Sequence, residues 1–575
     1  METADELANL RAYIDATRAD WKVPGMAVGI VRDGRVTLAE GFGLRNAADG
    51  LPVTPRTLFA IGSATKAFTA TAVGILVSDG KLAWDTPVRE FLPSFKLADP
   101  FASERMTPRD LLTHRSGLPR HDLMWYNSSA TRQELFDRLR YLEPSKDLRT
   151  TFQYQNLMYM TAGYLAGVVS GGMWEDVVRE RIFTPLGMTS ANFSVARSQQ
   201  SPDYSLPYQE KHEQVGVIPF RPIDTIGPAG SINASLDGML QWLRLQLDHG
   251  RHNDRQIIAA SDLAQMHAPQ MVVQDAQFRM LFQADLLSYG LGWFIQSYKG
   301  HLMVQHGGNI DGFTTLVSFL PQDGIGIVIL SNLNGTLAPT VVTYTLYDRL
   351  LGLAPSDWNG QLKQVDAQLK AAIEQGKATT QADRQPDTHP SHPLAAYAGE
   401  YAHPGYGVAS VEPDGEALRL SYNALPFTMT HYHYDTFEIA NDQSEVRMKL
   451  TFQVDAQGRI ARLALPLEPS VADIVFVRQP DRRMRQRAFL ERFTGDYSML
   501  TIPARVAFRG EDTLVVSVPG QPDQELVPYD GTTFTVKGQE AISVRFVMGD
   551  DGQVREALLI QPGATLTLTR VEPGA

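Results

Sequence analysis

The sequence predicts an α+β domain, an antiparallel sheet flanked by helices, followed by two small antiparallel β-barrels. Three observations carry this prediction. Strand-like runs at both ends of the first 355 residues enclose a helical middle, a polar stretch with three prolines interrupts the chain near residue 380, and the remainder repeats itself. The implied boundaries are 1–355 for the first domain, 356–393 for a linker with a short helix, 394–482 for one barrel and 483–575 for the second. A chain of 575 residues is too long for one ordinary core.

The first segment, METADELANLRAYIDATRADW, reads as an amphipathic helix. It begins acidic and carries neither a basic leader nor an apolar stretch, so no signal peptide or transmembrane span is expected. Two compartments stay open: cytoplasmic as written, or periplasmic or secreted if a leader was removed. Next, GMAVGIVRDGRVTLAEGFG places two β-rich runs around Asp33-Gly34, a dipeptide that favours a tight hairpin. From Ser63 to Leu82 the pattern turns helical, with a broad face of Ala67, Ala70, Val73, Ile75 and Leu76. Further helices are expected near 107–114, 132–142, 156–170 and 235–248. After residue 289, YGLGWFIQSY, HLMVQHGG, GFTTLVSFLP and GIGIVILSNLNG follow at short intervals with Gly and Asp-Gly punctuation, as in an antiparallel meander. A helix near 340–351 closes the domain.

The stretch KATTQADRQPDTHPSHP, 377–393, has almost nothing to bury and reads as a linker. Beyond it, Gly399 corresponds to Gly495, Leu418 to Leu514 and Phe452 to Phe546 in two runs of short alternating strands. Each copy reads as a small β-barrel or curled sheet.

Composition narrows the function classes. Hydrophobic residues make up 43% and charged residues 20%, as in a folded globular chain. Acidic residues outnumber basic ones 64 to 52, for a formal charge of −12, which disfavours nucleic acid and anionic membrane as partners. The absence of cysteine removes disulfides, thiol nucleophiles and thiolate-held metals. No His-Glu-x-x-His spacing suggests a zinc hydrolase, and no Gly-x-Ser-x-Gly elbow an α/β-hydrolase. Neither a metal nor another cofactor is therefore expected.

The stretch FAIGSATKAF places Ser63 three residues before Lys66. A serine ahead of an apolar-periodic run often only caps a helix. Residues three apart nevertheless share a helix face, so Lys66 can take a proton from Ser63, and the helix N-terminus favours a nearby oxyanion. Two other short motifs keep company with this one. TFQYQNLMYM puts Tyr154 and Asn156 just before a helix, and VQHGGNIDGF puts His306-Gly307-Gly308-Asn309 at the end of a strand. Each alone has a bland reading: Tyr154 as a core aromatic, His306 as a satisfied strand-end histidine.

In this order and spacing the three motifs resemble those of the serine β-lactamase and penicillin-binding protein superfamily: Ser-x-x-Lys, Tyr-x-Asn or Ser-x-Asn, and Lys-Thr-Gly. LLTHRSGLP (111–119), GPAGSINASLDGMLQWL (227–243) and YGLGWF (289–294) are similar to the branch holding class C β-lactamases, D-Ala-D-Ala carboxypeptidases, D-aminopeptidases and esterases. The resemblance spans roughly residues 6 to 352. It implies a β-lactamase-like domain in which Ser63 is acylated, Lys66 is its immediate base or proton relay, and Tyr154 is general base in acylation and acid toward the leaving group. It assigns Asn156 to orienting Lys66 and the substrate amide, and the N–H groups of Ser63 and Asn309, beside Gly307 and Gly308, to the oxyanion. A Lys66 ammonium has the right sign to acidify the Tyr154 phenol, whose ordinary value is near pKa ~10.

His306 stands where β-lactamases and penicillin-binding proteins carry lysine. A mostly neutral imidazole is a weaker anchor for a substrate carboxylate. The His-x-Gly variant is similar to D-aminopeptidases and esterases, so the expected substrates are peptides, including short, linear or D-residue-containing ones. Short esters come second. D-aminopeptidase-like members carry two lipocalin-like barrels after the catalytic domain, and a barrel loop limiting substrate length is the matching hypothesis. A non-catalytic penicillin-binding-like sensor or ligand-binding protein is the reading from another class. The expected partner is a small-molecule or peptide substrate, with a homodimer left open and the loops 118–130 and 200–226 shaping the pocket.

Overall fold

A computed structural model describes residues 4–379, 383–441 and 446–571. Two compact units are present: residues 1–383 with 404–406 and 467–473, and residues 384–403, 407–466 and 474–575.

The first unit opens with helix α1, Ala4–Asp20, which buries Leu10, Ile14 and Thr17 along one face. Strands β1, Gly25–Arg32, and β2, Arg35–Asn46, form the expected hairpin; Asp33 (φ 52°) and Gly34 (φ 74°) are both left-handed, as a tight primed turn requires. After β3, Leu51–Pro52, come helices α2, Thr65–Ser78, α3, Asn156–Ser170, and α4, Leu236–Leu247. The meander follows as β4, Met271–Val272, β5, Leu287–Tyr289, β6, Phe294–Tyr298, β7, His301–Ile310, β8, Phe313–Leu320, and β9, Ile325–Ser331. Helices α5, Ala338–Leu350, and α6, Trp358–Thr379, follow the meander.

Among the described residues the sheet runs β4-β5-β6-β7-β8-β9-β1-β2-β3. Antiparallel β1–β9 pairing, with Val28 opposite Ile329, joins the two ends of the domain. On one face α1, α5 and α6 share a core with Met26, Val28, Ile327 and Ile329. On the other α4 lies close: a Cβ on Gly29 would come within 2.8 Å of Leu240, and one on Gly326 within 2.7 Å of Leu243. Helix α2 is buried from Thr65 to Leu76, which its small and apolar residues on every side permit. Phe68 stacks on Trp242 at 3.8 Å.

Where a linker with a short helix is expected over 356–393, α6 runs for 22 residues. Trp358, Leu362 and Val365, spaced by four and three, are buried in the α1–α5 core.

The second unit holds two closed eight-stranded antiparallel barrels, between Gly399 and Arg478 and between Gly495 and Arg570. The repeat places Leu418 and Leu514 on the third strand of each, and Phe452 and Phe546 on the sixth. Closure uses one device twice. Tyr401 lies opposite Arg478, and Tyr497 opposite Arg570, where first strand meets last. Arg478 donates to the carbonyls of Ala396, Ala398 and Ile460; Arg570 donates to those of Arg492, Thr494 and Val554. The tyrosine hydroxyls donate to the Tyr397 and Phe493 carbonyls.

Candidate active site

Ser63 sits in a 3-10 turn, Gly62–Ala64, that runs directly into α2. Ala64 holds the cap position and no side chain caps either helix, so the Ser63 hydroxyl is not spent as a cap. One turn on, Lys66 is fully buried. Its Nζ lies 3.0 Å from Ser63 Oγ, 2.8 Å from Asn156 Oδ1 and 2.8 Å from the Ala229 carbonyl oxygen. The amide and carbonyl oxygens can only accept, so they take two N–H bonds. The third position faces Ser63: an N–H when Lys66 is charged, a lone pair when it is neutral. Burial pushes Lys66 well below the ordinary ammonium value; Arg120 adds to the push and Asp122 opposes it.

Ala229 is held in place by α2. Thr69 Oγ1 donates to the Pro228 carbonyl at 2.6 Å, and Thr65 Oγ1 accepts from the Ile232 N–H at 3.2 Å.

Tyr154 precedes α3, whose first turn Gln155 caps through Leu157 N–H at 2.7 Å. The Gln155 N–H donates to His114 Nδ1 at 2.9 Å, and the His114 ring stacks on Tyr154 with centroids 4.2 Å apart. Burial keeps His114 neutral. The segment carrying His114 is tied to that carrying Tyr154 by Asp110, whose carboxylate accepts from Arg115 and Arg149, each at 2.7 Å. Burial alone would raise the Asp110 carboxyl, but Arg149, Arg115 and Thr107 hold it below its ordinary value. Burial pushes the Tyr154 phenol up, against a Ser63 hydrogen bond and the Arg120 charge, which lower it. Lys66 Nζ stands 4.8 Å from the Tyr154 ring centre.

Strand β7 brings the third motif to the same turn. A Cβ on Gly308 would lie 1.9 Å from the Ile61 carbonyl oxygen, and one on Gly62 (φ 51°) 2.9 Å from the Asn309 nitrogen. Only glycine allows the two backbones this close. His306 lies 6.4 Å from Tyr154, centre to centre. Its Nδ1 donates to the Gly307 carbonyl at 2.6 Å and its Nε2 accepts from Tyr289 Oη at 3.0 Å. Burial, aided by the charge of Lys66, pulls it down to about 3.

A cavity of about 290 Å³ opens on Ser63, with Asn156 and Asn309 in its walls. Trp125, Ile223 and Ile226 make it partly apolar. The loop after LLTHRSGLP adds an ion pair that sequence reasoning did not single out: Arg120 and Asp122 meet at 2.6 Å. Asp311, also in the wall, accepts from Arg221 and Tyr126 at 2.7 and 2.9 Å. The loop itself was legible as pocket-forming, but its charged pairs depend on tertiary partners.

A family model described as Beta-lactamase matches residues 10–351, and one described as a domain of unknown function, DUF3471, matches 383–478. The chain is 29% identical over 490 residues to an unguisins hydrolase of Aspergillus campestris, covering 79% of this chain and 88% of that protein. It is 30% identical over 450 residues to an unguisins hydrolase of Aspergillus violaceofuscus, covering 72% and 77% respectively. The octameric penicillin-binding protein homologue from Pyrococcus abyssi shares the fold, with a TM-score of 0.54 at 23% identity over 82% of this chain and 100% of that one. Among the described residues no helix is long and apolar enough to cross a membrane, and no group of three or more His, Asp or Glu is placed to hold a metal ion.

Proposed function

Since the chain belongs to the beta-lactamase family, we propose that it is a serine hydrolase cleaving amide bonds of small peptides through an acyl-enzyme on Ser63. The observation that carries this reading is the surround of Lys66 Nζ, which leaves one position, and that position faces Ser63 Oγ. The resemblance makes Lys66 the immediate base or proton relay and Tyr154 both the general base in acylation and the acid toward the leaving group, with a charged Lys66 acidifying the phenol. Burial pushes these two groups the other way, toward a neutral amine and a protonated phenol. Lys66 is then the base and Tyr154 the acid.

As Ser63 Oγ bonds to the carbonyl carbon, its proton passes to Lys66. The oxyanion is met by the N–H groups of Ser63 and Asn309. Tyr154 gives its proton to the leaving nitrogen as the C–N bond breaks, and Lys66 returns the first proton to the phenolate. Water then attacks the acyl carbon by the same groups in reverse, releasing the acid and restoring Ser63. His306, with both nitrogens engaged, holds β7 rather than a substrate carboxylate. The two relatives named as hydrolases support hydrolysis, and the partly apolar cavity suits a neutral side chain beside the scissile bond.

A panel of matched p-nitroanilides and p-nitrophenyl esters of L- and D-amino acids tests the reading through kcat/KM. Ser63-dependent turnover of the anilides is expected. Turnover of the esters alone would replace the amidase reading with an esterase.

A further inference from the structure

The Asn156 side chain has to present its oxygen, not its nitrogen, to Lys66. An amide is nearly symmetric in shape, so something must fix which end faces the lysine. Asp122 is placed to do this: its Oδ1 accepts from Asn156 Nδ2 at 3.0 Å and from Trp125 Nε1 at 2.9 Å. A carboxylate offers no donor, so the amide cannot turn round without setting its oxygen against another oxygen. Asp122 is in turn held by Arg120, whose Nε donates to Oδ2 at 2.6 Å. The Arg120 guanidinium carbon stands 5.2 Å from the Tyr154 ring centre, and both residues of the pair line the cavity with Ser63.

We propose that Arg120 and Asp122 are positioning residues of the catalytic machinery, Asp122 fixing the Asn156 amide toward Lys66 and Arg120 supplying the fixed positive charge beside Tyr154 that His306 does not provide. The proposal rests on the acyl-enzyme reading of Ser63.

The two members act with opposite sign on the same groups. Arg120 disfavours a proton on Lys66 and on Tyr154, and Asp122 favours one on each. The other titratable and charged groups around them are His114, Tyr159, Tyr289 and His306 on the Lys66–Tyr154 side, Glu468 facing Arg120, and His121 and Tyr406 facing Asp122. His114 and His306 are held neutral by burial, and Tyr159 and Tyr289 are held protonated by it.

The test is the rate at which p-nitrophenyl butyrate acylates the full-length protein as a function of pH, read from the mass of quenched samples. Ser63→Ala is the blank. Arg120→Gln is expected to move the ascending limb, where Lys66 loses its proton, to higher pH. Asp122→Asn keeps an acceptor oxygen for Asn156 but loses the charge, and is expected to move the limb to lower pH. Asp122→Ala frees the amide and is expected to lower the plateau by about 10²-fold, the cost of a misplaced catalytic group. Arg120→Lys restores the charge and is expected to return the limb most of the way. A merely structural pair would give shifts of one sign, or none, in variants that melt like the parent, and that result overturns the proposal while leaving the acyl-enzyme intact. A parent protein that gains no Ser63-dependent mass overturns the acyl-enzyme reading and the proposal together.

Discussion

The hydroxyl of Tyr289 lies 3.0 Å from Nε2 of His306 and donates to it. With Nδ1 donating to the Gly307 carbonyl, the imidazole is fixed as the neutral Nδ1–H tautomer. The third motif therefore presents a neutral hydrogen-bonded ring where its relatives by resemblance present an ammonium.

One consequence concerns pH. Because the native value of His306, about 3, lies below its ordinary 6.5, the stability it contributes is present above pH 6.5 and is lost as pH falls toward 3. Nitrogen NMR of labelled protein is expected to show a neutral, Nδ1-protonated ring at pH 5; an imidazolium signal there would contradict the assignment. Tyr289→Phe leaves a buried Nε2 unpaired and is expected to cost about 1–3 kcal/mol in denaturant unfolding.

The approach of β7 to the Ser63 turn gives a second prediction. In Gly308→Ala the new methyl falls on the Ile61 carbonyl oxygen at 1.9 Å, so strand and turn have to separate. Stability is expected to fall by about 1–3 kcal/mol, and acylation by about 10²-fold through the displaced Asn309 N–H. In Gly307→Ala the nearest atom, the Thr315 carbonyl oxygen, is 3.6 Å away, and stability is expected to hold. Equal melting losses in the two variants would contradict this geometry.

The barrels supply a third. Arg478 makes its carbonyl bonds at 2.6, 2.8 and 3.1 Å, and Arg570 at 2.9, 3.4 and 3.4 Å. Arg478→Met strands three acceptors at the closure and is expected to cost about 2–3 kcal/mol in calorimetric unfolding, with Arg570→Met costing less. The reverse order would show that closure rests on other contacts.

How much of this was legible in the sequence follows from how local each cause is. The meeting of Ser63 and Lys66 depends on three residues of helical spacing, and the Asp33-Gly34 hairpin on two φ angles, so both could be read directly. Barrel closure was half legible: the repeat gave paired strands, but not that Arg478 would reach back across the barrel to Ala396 and Ala398. The length of α6 was missed because none of its described side chains beyond Val365 is buried, although Trp358, Leu362 and Val365 carried the helical period. Least legible were the state of His306, set by a tyrosine 17 residues away, and the Arg120–Asp122 pair. That pair acquires meaning only when the loop after Pro119, with His121 at φ 47°, folds back onto Asn156.

The central claim is that Ser63 forms the covalent intermediate, and the most direct measurement is the intact mass and peptide map of the protein quenched seconds after mixing with p-nitrophenyl butyrate. One butyryl group per chain is expected, located on the peptide containing Ser63 and absent from Ser63→Ala, whereas Tyr154→Phe is expected to lose p-nitroanilide turnover, whose leaving nitrogen needs the proton of the phenol, by roughly 10²–10⁴-fold. A butyryl group on another residue, or product release at an equal rate by Ser63→Ala, would contradict it.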